Sequence, residues 1–216
     1  MVRLPLRLIT EAGVTRQTLL IFTLVSAICN GLVSASVGAW LTHSYAAAQT
    51  RRGAINGLSS LLYERRTKAG LVVSSLRRGG EPEELRFRKR SYDEAYVDWN
   101  KSLRPNLFAI REVMGESAFT ALEQDFEKYI VDPLSKIDGC MTRAYDLKLT
   151  GSDPVKELES CKMAALYQLT LDCGASFTNE LYKLTRISLL PLMGPGEAER
   201  AAARARISKS CDRPLG

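Results

Sequence analysis

The sequence predicts an all-α protein in which a single N-terminal transmembrane helix continues into an antiparallel up-and-down four-helix bundle, followed by a short C-terminal tail helix. Two observations support this. Residues 17–50 contain no Asp, Glu, Lys or Arg. After them, apolar residues recur every three or four positions in four stretches of similar length, separated by turns that contain Gly or Pro. We therefore expect a cytoplasmic N-terminal segment (1–16), a transmembrane anchor (17–42), an exported four-helix bundle (43–190) and a basic tail (191–216).

The centre of the anchor is the apolar run from Leu19 to Leu41. As a helix this run is about 35 Å long, which is enough to cross a hydrocarbon core of about 30 Å. Several arginines precede it, whereas the next cation after it is Arg51. Because cytoplasmic flanks of membrane helices are enriched in Lys and Arg, we expect a cytoplasmic N-terminus, an anchor in the inner membrane of a bacterium and a periplasmic C-terminal domain.

Two other interpretations of the N-terminal region are a cleavable signal peptide and a lipoprotein signal. A cleavable signal peptide would also have a basic start and an apolar core, and the small residues at 37–39 resemble a cleavage site. The apolar run is longer than the usual core of about 7–15 residues, which favours a retained anchor. A lipoprotein signal at Cys29 is disfavoured because the preceding residue is Ile28, where that signal requires a small side chain.

One face of the anchor carries small residues at four-residue steps: Ala27, Gly31, Ala35 and Ala39. Small residues at this spacing let two helix backbones approach closely, which is how membrane helices gain packing contacts. The face therefore predicts association with another membrane protein or with a second copy of the chain. Alternatively, it reflects only the abundance of Ala and Gly in membrane helices.

Turn and capping signals set the bounds of the four bundle helices. The first helix continues from the anchor to Gly79-Gly80, and the second begins at Pro82, is kinked at Pro105 and ends at Gly115. The third begins at about Glu116 and is interrupted at Pro133. The fourth begins with Asp153 as N-cap and Pro154 as first residue, and is predicted to be continuous to about Ser188. Its apolar stripe includes Leu158, Ala165, Leu169 and Cys173.

The tail contains an Ala-rich segment, 197–209, with basic residues at Arg200, Arg204, Arg206 and Lys209. In the predicted topology the fourth helix returns toward the membrane, where these cations could contact anionic head groups. The alternatives are a solvated terminal helix and a helix folded back on the bundle.

Four cysteines lie beyond the anchor, and the hairpin geometry suggests how they pair. Cys140 and Cys161 are almost equidistant from the turn near Gly151, so antiparallel helices place them side by side. If the tail folds back, Cys173 and Cys211 are also nearly opposite each other. We predict both pairs as disulfides in an oxidising compartment, with buried free thiols as the alternative.

The composition favours a protein without catalytic residues, cofactors or metal sites. The single histidine, His43, lies at the predicted membrane boundary, which excludes the Glu-x-x-His and Cys-x-x-Cys-His patterns. The cysteines are too widely spaced for a zinc motif. The net charge of +6 comes largely from the two ends of the chain, so no nucleic-acid-binding surface is predicted. We therefore expect a non-enzyme whose partners are the lipid bilayer and other membrane proteins.

A group of arginines and aromatic residues is the one candidate for a ligand site. Folding about Gly80 brings arginines of the first helix near aromatic residues of the second. These residues are Arg65, Arg66, Tyr92, Tyr96 and Trp99. Guanidinium groups beside aromatic walls could bind a small anion. Alternatively, the aromatic residues belong to the core and the arginines pair with acids of the second helix, namely Asp93, Glu94 and Asp98.

A membrane helix that continues into a periplasmic four-helix bundle resembles the sensor half of bacterial chemoreceptors and related kinases. That resemblance implies a ligand-sensing bundle. Such sensors return through a second membrane helix, whereas the apolar run 187–193 is too short to span a bilayer. We therefore expect an accessory or assembly subunit that acts through protein contacts. The alternative is a ligand sensor that signals through a partner membrane protein.

Overall fold

The computed structural model describes residues 16–114, 116–185 and 195–212. Within these ranges the chain is helical apart from short turns, and it contains no strand. The prediction of an all-α fold with one long apolar N-terminal helix is confirmed. The described residues fall into two compact units, one ending at Ala46 and the other beginning at Ala47.

The first unit consists of the beginning of α1 (Arg16–Arg77). Except for Trp40, its large apolar side chains from Leu19 to Leu41 expose at least half of their surface, from 51% at Val25 to 73% at Phe22. The helix is long and apolar enough to cross a membrane. An apolar surface of this size requires lipid or another apolar surface to cover it.

The second unit contains the rest of α1 and six further α-helices. These are α2 (Pro82–Met114), α3 (Glu116–Phe126), α4 (Asp132–Leu149), α5 (Pro154–Ser160), α6 (Met163–Leu184) and α7 (Glu197–Cys211), with a π-helical turn (Glu127–Val131) between α3 and α4. Each of these α-helices and α1 contributes side chains to one continuous hydrophobic core. Within this core, the ring centroid of Phe126 lies 6.1 Å from that of Trp99 and 5.2 Å from that of Phe177.

Glycine closes the turns after α1 and α4 in the same way. After α1, the Gly80 N–H donates to the Ser75 carbonyl over 2.8 Å, and the Gly79 N–H donates to that of Leu76 over 3.3 Å. These two bonds form a Schellman motif, which satisfies the last carbonyls of the helix. Gly79 has a φ of +70° and Gly151, after α4, a φ of +79°, a region that glycine adopts without strain. The predicted glycine cap at 79–80 is therefore confirmed.

The predicted start of α5 is also confirmed. The Val155 N–H donates to the Asp153 carboxylate over 2.9 Å, and Pro154 is the first helical residue. The predicted interruption near Pro133 takes the form of the π-helical turn, in which the Asp132 N–H donates to the Glu127 carbonyl five residues earlier. Proline lacks an N–H and its ring crowds the preceding turn, and the wider turn relieves that conflict.

The prediction of one continuous fourth helix is wrong. The helix is divided between α5 and α6 at Lys162, which has a left-handed backbone with φ 50° and ψ 43°. The break rotates the apolar stripe, so that Met163 and Leu166 are buried where a continuous helix would bury Ala165. The predicted end of this fourth helix, at about Ser188, lies outside the described residues. So does Gly115, the predicted end of the second helix.

The tail helix α7 packs against α6 and α3. Its residues Ala203, Ile207 and Cys211 are buried in the core. Two of its basic side chains are paired with acids of those helices. Arg204 Nε lies 2.9 Å from Asp125 Oδ2, and Arg206 Nη2 lies 2.7 Å from Glu180 Oε2. Of the alternatives for the tail, the structure therefore favours the helix that folds back.

Candidate functional site

Arg65 is the centre of the candidate site. It lies on α1 with only 3% of its surface exposed and forms an ion pair with Asp138 of α4. Its guanidinium carbon is 4.8 Å from the ring centroid of Tyr96 and 5.4 Å from that of Trp99. A buried cation of this kind is tolerated because a carboxylate neutralises it and aromatic faces attract it.

The surroundings of Arg65 leave several polar atoms with unused hydrogen-bonding capacity. Burial raises the pKa of Asp138, and the opposing effect of the Arg65 charge does not fully offset it. Among the described residues, Arg65 Nε, Asp138 Oδ1 and the Tyr92 hydroxyl are buried without a hydrogen-bond partner. A buried polar group without a partner costs free energy, so these atoms mark where a small polar molecule would find hydrogen-bonding groups.

A groove of about 470 Å³ lies beside this cluster. Its lining comprises Lys89, Tyr92, Asp93, Tyr96, Asp138, Gly139, Thr142 and Arg143. The cations at its rim are already paired, because Lys89 Nζ lies 2.6 Å from Asp93 Oδ1 and Arg143 Nε lies 2.6 Å from Glu157 Oε1. The groove therefore offers hydroxyls, aromatic faces and paired charges, and Arg65 already has a carboxylate partner.

The structure brings together most, but not all, of the predicted pocket. Arg65, Tyr96 and Trp99 are in contact, and Tyr92 lines the same groove. Arg66 faces α6 instead, where its Nε donates to the Tyr167 carbonyl over 3.2 Å.

The alternative, in which the aromatic residues belong to the core and the arginines pair with acids of the second helix, is correct only in part. Trp99 and Tyr92 are buried core residues, but Tyr96 is 43% exposed. Arg65 pairs with Asp138 and not with the acids of α2. Asp138 was not predicted as the partner of Arg65, because the acids of the second helix are much closer to Arg65 in the sequence. The signal was an acid that directly follows the core residue Ile137.

Both predicted cysteine pairs are at bonding distance in the structure. The Cα atoms of Cys140 and Cys161 are 6.2 Å apart, and those of Cys173 and Cys211 are 4.9 Å apart. Arg143 was not singled out from the sequence, yet its Nη2 lies 3.4 Å from both Cys140 Sγ and Cys161 Sγ. Its position three residues after Cys140, on the same helix face, was the available signal.

The small-residue face of the anchor is exposed. Ala27, Gly31, Ala35 and Ala39 all lie on the surface of α1. A Cβ atom added at Gly31 or Gly38 would meet nothing within 4 Å. The prediction that this face packs on another helix remains a prediction.

Comparisons with protein-family models, with curated proteins and with solved structures give no match for this chain. Its function is therefore inferred from its own residues.

Proposed function

We propose that the chain is a single-pass membrane protein that acts, without catalysis, as an accessory or assembly subunit. In this proposal the N-terminus is cytoplasmic, and an exported antiparallel four-helix bundle binds partner proteins. The observation that carries the proposal is that one chain combines an exposed apolar helix, Leu19–Leu41, with two cysteine pairs at bonding distance. Disulfides persist in oxidising compartments such as the periplasm.

Paired contacts support the antiparallel arrangement of the helices. Arg88 Nη1 of α2 donates to the Leu71 carbonyl of α1, and farther along α2 the side chain of Asn106 lies against Gly57, nearer the start of α1. Residues later in α2 thus contact residues earlier in α1, which is the pattern of two antiparallel helices. Cys140–Cys161 together with Arg143–Glu157 follows the same rule for α4 and α5.

Two measurements test the topology: the oxidation state of the cysteines, and the access of external protease to a C-terminal tag. The full chain is expressed in bacteria, thiols are trapped in the intact cells, and spheroplasts are then treated with protease. We expect Cys140, Cys161, Cys173 and Cys211 to be protected from alkylation as disulfides. Carbonate washing should leave the chain in the membrane fraction, and protease should degrade a C-terminal tag from outside. Reduced cysteines together with a protected tag would place the domain in the cytoplasm and contradict the proposal.

The role of the small-residue face can be tested with a matched pair of variants. Gly31→Leu with Ala35→Leu enlarges this face, whereas Ser26→Leu with Cys29→Leu makes a comparable change on the opposite side of the helix. A photo-crosslinking residue at position 27 should give an adduct with a second copy or with another membrane protein in the unaltered chain. The first variant should lose this adduct and the control should retain it. Equal adducts in both variants would exclude a role for this face.

A ligand-sensing function is the second candidate, and the groove beside Arg65 favours it. The Tyr92 hydroxyl and Arg65 Nε are buried donors without a partner among the described residues, and they lie beside a groove of about 470 Å³. In this proposal a small anion binds there and the bundle passes its state to a partner membrane protein.

Thermal unfolding of the detergent-solubilised chain with acetate, succinate or phosphate tests this second candidate. We expect one of these anions to raise the melting temperature and Tyr92→Phe to reduce the increase. An unchanged melting temperature with all of them would count against an anion site at this groove.

A further inference from the structure

The two disulfides lie in different surroundings. Cys173 and Cys211 are buried in the core, with 0% and 3% of their surfaces exposed. Cys140 is also buried, but its partner Cys161 is half-buried and sits at the end of α5, next to the break at Lys162. A thiol in solution therefore has access to Cys161 and little access to the other disulfide.

A cation stands over the more accessible disulfide. Arg143 Nη2 is 3.4 Å from each of the two sulfur atoms. Glu157 holds the guanidinium through Arg143 Nε, over 2.6 Å, and its Oε1 also lies 3.6 Å from Cys161 Sγ. The carboxylate disfavours a thiolate at Cys161, so Cys140 is the sulfur that leaves as a thiolate. Gly139 leaves room for the guanidinium, because a Cβ atom there would lie only 3.3 Å from Arg143 Nη1. A neighbouring guanidinium favours the thiolate over the thiol, and the thiolate is the form in which sulfur leaves during exchange.

We propose that the Cys140–Cys161 disulfide is a site of thiol–disulfide exchange with a dithiol, in which Arg143 stabilises the departing thiolate. A thiolate of the dithiol attacks Cys161 Sγ, forms a mixed disulfide and displaces Cys140 as a thiolate beside Arg143. The second thiolate of the dithiol then attacks the dithiol sulfur that is bonded to Cys161 Sγ. This closes a cyclic disulfide and releases Cys161 as a thiolate. Two electrons pass from the dithiol, which becomes a cyclic disulfide. The two protons it loses are available to the two cysteines.

Exchange at this site has a structural consequence. The disulfide joins α4 to the end of α5, and the chain turns at Lys162 with a left-handed backbone before α6 begins. Reduction removes the covalent connection at this turn. Cys173–Cys211 still joins α6 to α7. The expected result is a local loosening of α5 while α6 and α7 remain joined.

The test uses the full chain in detergent micelles with dithiothreitol as the dithiol. Free thiols are alkylated at successive times and assigned by peptide mass mapping. We expect Cys140 and Cys161 to become labelled first, while Cys173 and Cys211 remain oxidised. Glutathione, a monothiol, should trap the mixed disulfide on Cys161. Hydrogen exchange should increase in residues 154–160 after reduction and change little in residues 197–211.

Variants at position 143 test the role of the charge. Arg143→Gln should slow reduction about fivefold, which corresponds to the loss of one charge interaction near the protein surface. Arg143→Lys should restore most of the rate. Lys156→Gln, which removes an exposed cation from the same helix as Glu157, is the matched control and should leave the rate unchanged. Thermal melts check that each variant is folded.

Several results would overturn the proposal. These are equal reduction rates for the two disulfides, a glutathione adduct on Cys140, and equal rates for Arg143→Gln and the unaltered chain. A measurement that does not depend on variants is the effect of salt on the unaltered chain. Salt should slow the reaction, because the Arg143 side chain is 60% exposed and its charge is open to screening. A rate independent of salt would also count against the role of Arg143.

Discussion

At the scale of single residues, burial of charge decides what Arg65 can do. Its partner Asp138 keeps the guanidinium neutralised inside the core, and Tyr96 and Trp99 cover its faces. Removal of one member of a buried ion pair leaves an uncompensated charge, whereas replacement of both by apolar residues of similar volume is often neutral. The pair is therefore expected to determine how α1 and α4 fit together more than it adds to net stability.

We predict that Arg65→Ala lowers the free energy of unfolding by about 3 kcal/mol, because Asp138 then lacks its partner. The double variant Arg65→Met with Asp138→Leu should recover most of that loss. Chemical denaturation of the detergent-solubilised chain measures both. If the double variant is as unstable as the single one, the packing of Arg65 on the aromatic rings, and not its charge, is the main contribution.

A second residue-scale prediction concerns Lys162, the one described non-glycine residue with a positive φ. Because glycine adopts this region without a Cβ conflict, Lys162→Gly should raise the free energy of unfolding by up to about 1 kcal/mol. Lys156→Gly, in the interior of α5, should lower it by about 1 kcal/mol. Thermal melts compare the two. A loss of stability at both positions would show that the Lys162 side chain makes a compensating contribution.

At the scale of elements, α7 contacts α6 and α3 through a cysteine pair at bonding distance, buried apolar residues and ion pairs. Burial tends to raise the pKa of Glu180, but hydrogen bonds from Arg206 and Lys183 outweigh burial and lower it below 4.5. Hydrogen bonds from Ser208, Tyr129 and Lys128 lower the pKa of Asp212 from 3.8 to about 2. Both acids are thus more acidic in the folded protein than in the unfolded chain.

The corresponding prediction is a loss of stability in acid. A carboxyl whose folded pKa is lowered stabilises the fold above its unfolded pKa, and this contribution disappears as the pH falls through its folded pKa. We therefore expect these two acids to make their full contribution to folding stability above pH 4.5 and to lose it as the pH falls to about 2.

The variant Glu180→Gln with Asp212→Asn should have a lower melting temperature at neutral pH and a smaller further loss in acid. Glu159→Gln, an exposed acid of α5, is the control. An acid-induced loss of the same size in the double variant and in the control would assign the effect to other carboxyls.

At the scale of the whole molecule, the two units differ in what covers their apolar surfaces. The unit that begins at Ala47 buries its apolar residues in a core of its own. The part of α1 that precedes this unit exposes its large apolar side chains from Leu19 to Leu41, except Trp40. This contrast leads to the prediction that the second unit folds without the apolar helix that precedes it.

We predict that a fragment of residues 47–216 is soluble, monomeric and helical, with a cooperative thermal transition. A fragment of residues 78–216 is the matched control. It lacks the buried α1 residues, among them Leu58, Leu62, Val72 and Leu76, and should not fold cooperatively. Circular dichroism and size-exclusion chromatography distinguish the two. Aggregation of the longer fragment would show that the anchor contributes to the fold of the domain.

Much of this protein could be predicted from the sequence because the signals are local. A charge-free run predicts the apolar helix, Gly79 and Gly151 predict turns through their freedom at positive φ, and Asp153-Pro154 predicts a helix start. The cysteine pairs could also be anticipated, since equal distances from a hairpin turn place residues side by side. Each inference needed only the periodicity of a helix or the chemistry of a few adjacent residues.

Tertiary structure alone decided which side chains meet across helices. Arg65 pairs with Asp138, 73 residues away, and not with the nearer acids of α2. Arg66 contacts α6, and Arg143 lies beside the sulfur atoms of Cys140 and Cys161. The break at Lys162 depends likewise on how α5 and α6 pack, because no Gly or Pro marks it. These outcomes depend on the rotation of each helix about its axis, which the packing of the whole core determines.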